Sequence, residues 1–268
     1  MKPYPPVPEG LVVEREVPVL RVVLDRPERR NALTDEAVLA LTDTIDAASS
    51  DDAIRVIALS GRGDHFCSGL DLAQRQGSER RRPGSVQRRM RWHVNRLIPT
   101  MLEAQTPIVV AAKGWTIGLG LALALAADFA VVADDARLWA PFTTFGFTPD
   151  SGASWLLPRL VGVARAKEML MLGRRISGAQ AAEWGMVHRA VPADEVAPTA
   201  DALVGELARA ATVAVGLSKL LVHRAMTEDL DRHLADEGFA MELASRTEDF
   251  RENLAARREQ RDPDFKGR

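Results

Sequence analysis

Two short segments carry residues suited to chemistry. They are Phe66-Cys67-Ser68-Gly69-Leu70-Asp71 and Gly114-Trp115-Thr116-Ile117-Gly118-Leu119-Gly120. Each follows a β-branched apolar run that reads as a strand, and each leads toward a helix. One backbone N–H from each segment, converging on a single carbonyl oxygen, makes an oxyanion hole, the device of reactions that pass through an enolate or a tetrahedral anion. Backbone donors tolerate almost any side chain, so leucine in both segments is no objection. The second segment runs into Leu121-Ala122-Leu123-Ala124-Leu125-Ala126-Ala127, which has no polar face and is expected to be a buried helix. The start of such a helix offers unpaired N–H groups and the positive end of a dipole. The flanking glycines either let a ligand approach the backbone or only permit tight helix packing.

Asp150 is the next candidate. Its apolar neighbours in sequence are Phe142, Phe145, Phe147 and Trp155. Burial among them would raise a carboxylate above its usual pKa of about 3.9 and make it a better base. The stretch Thr148-Pro149-Asp150-Ser151-Gly152-Ala153 also reads as a helix start with Asp150 as the N-cap. His93, in Met90-Arg91-Trp92-His93, is read as a structural histidine on a helix. No group of His, Cys, Asp and Glu has metal-ligand spacing, so no metal is expected.

The elements that must position these residues read as α/β. Residues 11–14 and 17–24 form a strand pair, and Thr34 caps a helix that buries Val38, Leu41 and Ile45. Strands follow at 54–60, 108–112 and 128–133. From residue 164 the chain is mostly helical, with helices at 164–172, 177–184, 200–211, 217–226 and 231–250 and a strand at 187–191. A core over 1–195 and a helical region over 196–268 are therefore expected. A net charge of −2 gives no field for nucleic acid, and one cysteine fits a reducing cytoplasm. The proline-rich N-terminus lacks the apolar core of a signal peptide, and no apolar run is long enough to span a membrane. The arginine-rich segment 75–91 lacks the interleaved aromatics of a nucleic-acid surface.

Together the two segments, Asp25-Arg26-Pro27-Glu28-Arg29-Arg30-Asn31-Ala32-Leu33, Thr148-Pro149-Asp150-Ser151-Gly152, Leu156-Leu157-Pro158-Arg159-Leu160-Val161-Gly162 and Asp264-Phe265-Lys266-Gly267 resemble the crotonase superfamily, the enoyl-CoA hydratase/isomerase family. The resemblance covers nearly the whole chain. It implies a spiral of ββα repeats with a C-terminal helical region, an acyl-CoA substrate and no separate cofactor. It implies a homotrimer or a dimer of trimers, assembled through the helical tail. It makes Leu70 and Leu119 the oxyanion donors and places Ser68, Gly69, Asp71, Gly118, Phe142, Arg30 and Ala32 around the substrate, with Asp71 fixing its loop. Segment 75–91 becomes a solvated loop, a flap over the acyl pocket or an attraction for the coenzyme's phosphates. Arg257, Arg258 and Arg261 of the tail are weaker candidates for those phosphates.

The hydratases of this family place two glutamates where this chain has Ala122 and Phe142. Missing acid/base groups forfeit roughly 10²–10⁴ in rate each, so ordinary hydration is not expected. Asp150 falls where some isomerases and dehalogenases of the family place a working aspartate. The resemblance therefore favours isomerase-type proton transfer with Asp150 as base. The alternatives are a non-catalytic acyl-CoA binder and a weak hydratase. A dinucleotide-binding oxidoreductase fails because Leu123 stands where the fingerprint needs Gly or Ala, and because no acidic residue follows at the required distance.

Overall fold

The computed structural model describes residues 2–71 and 84–268. Arg75, Arg80, Arg81 and Arg82 of the arginine-rich segment lie outside the described residues.

β1 (Leu11–Glu16) pairs antiparallel with β2 (Val19–Leu24). The second strand starts after Pro18, which has no N–H to give a ladder. α1 (Asp35–Ser49) is capped by the Thr34 hydroxyl, which accepts from Ala37 N at 3.1 Å, and buries Val38, Leu41 and Ile45 as the spacing requires. β3 (Val56–Gly61) precedes the first loop, and α2 (Ser85–Trp92) and α3 (Val94–Glu103) follow it.

From there the chain repeats a strand–strand–helix unit. β4 (Ile108–Ala112), β5 (Trp115–Ile117) and α4 (Leu119–Ala126) are one turn. β6 (Phe129–Ala133), β7 (Arg137–Trp139) and α5 (Ala153–Met171) are the next. β8 (Arg175–Ser177), α6 (Gly178–Glu183) and β9 (Arg189–Val191) close the series. In the two full turns the first strand joins a six-stranded sheet of order β1-β2-β3-β4-β6-β9 and the second joins a small sheet β5-β7-β8, while β8 completes the small sheet and β9 the large one. All pairs in the large sheet except β1–β2 are parallel. Its central strands are buried, which explains their unbroken apolar runs. α7 (Val196–Arg209) packs on β3, β4 and β6. α8 (Thr212–Ala225), α9 (Leu230–Ala244) and α10 (Glu248–Glu259) complete the chain. Among the described residues, no helix is long and apolar enough to cross a membrane.

Three expectations need correction. Helix α5 begins at Ala153 rather than at residue 164, because Ala153, Leu156, Leu157 and Val161 bury a face despite Pro158. Gly162, at φ 77° and ψ 164°, kinks it. The helix expected over 231–250 is two, because the Thr247 hydroxyl caps a new one by accepting from Phe250 N at 3.0 Å. The small sheet escaped notice because its strands are three residues long.

Candidate active site

The two loops occupy the same place in successive turns of the repeat, so they lie side by side. Cys67 bridges Thr116 in parallel: Cys67 N donates to Trp115 O at 3.1 Å and Ile117 N donates to Cys67 O at 2.9 Å. The first loop thus extends the small sheet. On its other side it pairs with Leu33, whose N–H reaches Gly69 O and whose carbonyl accepts from Asp71 N, both at 2.8 Å. In such a parallel pairing the residue between those two partners turns its own N–H the opposite way. That residue is Leu70, and its N–H faces away from Leu33.

Leu119 is the first residue of α4, so its N–H is one of the helix's orphan donors. Every residue of α4 is buried, as its apolar sequence demands. Leu70 and Leu119 both line a cleft of about 70 Å³. Gly69 makes the approach possible. At φ +90°, a Cβ there would stand 2.9 Å from Ile117 O and 3.4 Å from Leu119 N. Gly120 packs equally closely, since a Cβ on it would lie 2.5 Å from Cys67 O. Cys67 is buried, and burial pushes its thiol up to about 12, so it serves packing rather than nucleophilic chemistry.

The other proposed site residues divide: Ser68, Gly118 and Phe142 line this cleft, whereas Arg30, Ala32 and Asp71 are not in its lining and instead hold the first loop. The Phe142 ring stands edge-on to Phe147. Arg30 sits at φ 50° and accepts the Ser68 N–H on its carbonyl at 2.9 Å. The Ala32 carbonyl accepts from Arg26 Nη1 at 2.9 Å, and the same guanidinium nitrogen meets Asp71 Oδ2 at 3.0 Å. Asp71 therefore has an ion-pair partner within its own loop system. Ala122 and Phe142, at the two glutamate positions, are both buried and offer no acid or base.

Asp150 lines the same cleft and is the one titratable side chain among the described residues that do. It also borders an adjoining cavity of about 1030 Å³ between α2, α3 and the start of α5. The expected N-cap role is corrected. Gly152 holds the N-cap of α5 with no side-chain cap bond, and the Asp150 carbonyl, not its carboxylate, accepts from Ala153 N. The carboxylate instead accepts a hydrogen bond from Ser151 Oγ at 2.7 Å.

His93 joins α2 to α3, with Nδ1 2.9 Å from Arg89 O, a structural position. Trp92 is exposed beside Arg91 and does not close the site. Arg261 is engaged by Glu252 and Glu259, and its hydrogen bond holds the Glu252 carboxyl down at about 2. That leaves Arg257 and Arg258 as the more available cations of the tail. Among the described residues, no group of three His, Cys, Asp or Glu could hold a metal.

Sequence reasoning missed two residues here. The Asn31 amide, in left-handed backbone, donates to Arg62 O at 3.0 Å and His65 O at 2.7 Å, pinning the approach to the first loop. Ser151 holds Asp150. An asparagine directly after the charged run Glu28-Arg29-Arg30 was the available sign of the first, and Ser151 gave none.

The model of the family "Enoyl-CoA hydratase/isomerase" matches residues 14–268. The 1,2-epoxyphenylacetyl-CoA isomerase of Escherichia coli is 35% identical over 260 residues, covering 97% of this chain and 99% of that protein. The crotonyl-CoA hydratase of Syntrophomonas wolfei is 31% identical over 261 residues, covering 96% and 98%. The crystal structure of enoyl-CoA hydratase from Bacillus anthracis superposes with a TM-score of 0.90 at 30% identity, covering 97% of this chain and all of that one.

Proposed function

The chain belongs to the enoyl-CoA hydratase/isomerase family, and on that premise we propose that it isomerises an acyl-CoA thioester, with Asp150 as the base. The Asp150 carboxylate takes a proton from the carbon next to the thioester carbonyl of a 3-enoyl-CoA. The electron pair moves onto the carbonyl oxygen, giving a dienolate held by the Leu70 and Leu119 N–H groups. The carboxylic acid then returns the proton two carbons further along, and the double bond ends conjugated with the thioester. Atoms and charge balance, and no cofactor is needed beyond the coenzyme carried by the substrate.

One observation carries this reading. The cleft that holds both loop donors has a single titratable lining side chain among the described residues, Asp150, while the glutamate positions are Ala122 and Phe142. That a 35% identical relative is named an isomerase supports it. The test is NMR of 3-enoyl-CoA thioesters in D₂O. The wild type should migrate the double bond and take up deuterium, and Asp150→Asn should lose about 10²–10⁴ in rate. Tight binding without exchange in either protein would identify a binder instead, and exchange that survives the substitution would mean another base.

The same reading includes a homo-oligomer, trimer or dimer of trimers, assembled through the helical tail. Support comes from α9, a helix of 15 residues in which none is buried.

A further inference from the structure

Ser151 is out of place by the ordinary rules. It is 2% exposed and sits at φ +54°, a left-handed conformation that costs a residue with a Cβ about 1–2 kcal/mol. Glycine would serve the turn without that cost, as the next residue, Gly152 at φ +77°, does. What serine adds is a hydroxyl, and its single proton goes to Asp150 Oδ1 at 2.7 Å. That distance is an ordinary one for a hydroxyl donor to an oxygen. Strained non-glycine residues gather where function over-determines the backbone. Among the described residues, the others with positive φ are Arg30, Asn31 and Gln260. Arg30 and Asn31 support the first loop, so three of the four surround this one site.

We propose that Ser151 is a positioning residue for Asp150: its strained backbone aims a buried hydroxyl that fixes the carboxylate's rotamer between the donor cleft and the larger cavity. The inference rests on Asp150 being the base. A hydroxyl that donates to the charged form also favours that form. Without the hydroxyl the carboxylate loses this hydrogen bond and samples rotamers that do not face the substrate.

Ser151→Gly tests this, because glycine suits the left-handed backbone and removes the hydroxyl together with its Cβ. The melting temperature should be unchanged or higher. The isomerisation kcat should fall about 10- to 100-fold, the loss typical of a misplaced catalytic group, with KM little altered. Ser151→Ala should show the same kinetic loss together with a lower melting temperature. A Ser151→Gly enzyme with wild-type kcat, or with its loss mainly in KM, overturns the proposal. Asp150→Asn run in parallel separates the two ideas. If that variant keeps its exchange activity, the base assignment has failed. If it loses activity while Ser151→Gly does not, only the role of Ser151 has failed.

Discussion

Gly69 is where the residue scale decides the chemistry. Its missing side chain lets the Leu70 and Leu119 amides share one cleft, and its φ of +90° turns the first loop. Gly69→Ala therefore adds conformational strain and pushes on Ile117 O and Leu119 N together. Misplacing one oxyanion donor should cost about 2.7–4 kcal/mol in the transition state, or about 10²–10³ in kcat. Substrate binding, read as KM, should change far less. A kcat within a few-fold of wild type would show that the two amides do not act on the reacting oxygen. The importance of Gly69 was legible from its motif. That of Ser151 was not, because a hydroxyl's worth depends on which acceptor the backbone brings to it.

At the scale of elements, α8 is fastened to the large sheet by a buried ion pair. Lys219, with a side chain 4% exposed, places Nζ 2.8 Å from Asp128 Oδ2. The same carboxylate oxygen accepts from Ile108 N at 2.7 Å, so it also orders the entry to β4. Burial holds the Lys219 ammonium below the usual lysine range, and the attraction of Asp128 opposes it. Removing one partner leaves the other charged in a dry place. Lys219→Ala should lower unfolding free energy by about 3–5 kcal/mol, measured by denaturant melts. The double variant Lys219→Met with Asp128→Asn should recover most of that loss, because the amide oxygen still accepts from Ile108 N and no lone charge remains. Equal losses in the single and double variants would mean that packing, not charge, sets the cost. Strands β3, β4 and β6 were readable as apolar runs, and α1 as a capped amphipathic helix. The break after α9 was harder to see, since apolar periodicity continues across it and only the Thr247 cap decides it.

At the scale of the whole molecule, α9 exposes Leu230, Leu234, Phe239, Met241 and Leu243, with Phe239 at 71%. A helix with apolar residues and no buried face needs a partner. In the proposed assembly a second copy covers it, and Phe239→Asp should lower the oligomeric mass measured by light scattering. A monomeric wild type would refute that assembly outright. The sequence by itself determined the alternation of strands and helices, the burial of α4, the two glycine-bearing loops between strand and helix, and the absence of acid/base groups at positions 122 and 142. These are properties of residue type and local spacing, which act within one element. Only the tertiary structure decided that the first loop pairs with β5 as an added strand, that Asp150 shares a cleft with Leu70 and Leu119, and that its carboxylate accepts from Ser151 instead of capping α5. Those facts depend on registering one turn of the repeat against the next. Contacts between residues far apart in the chain leave no periodicity in the sequence to be read.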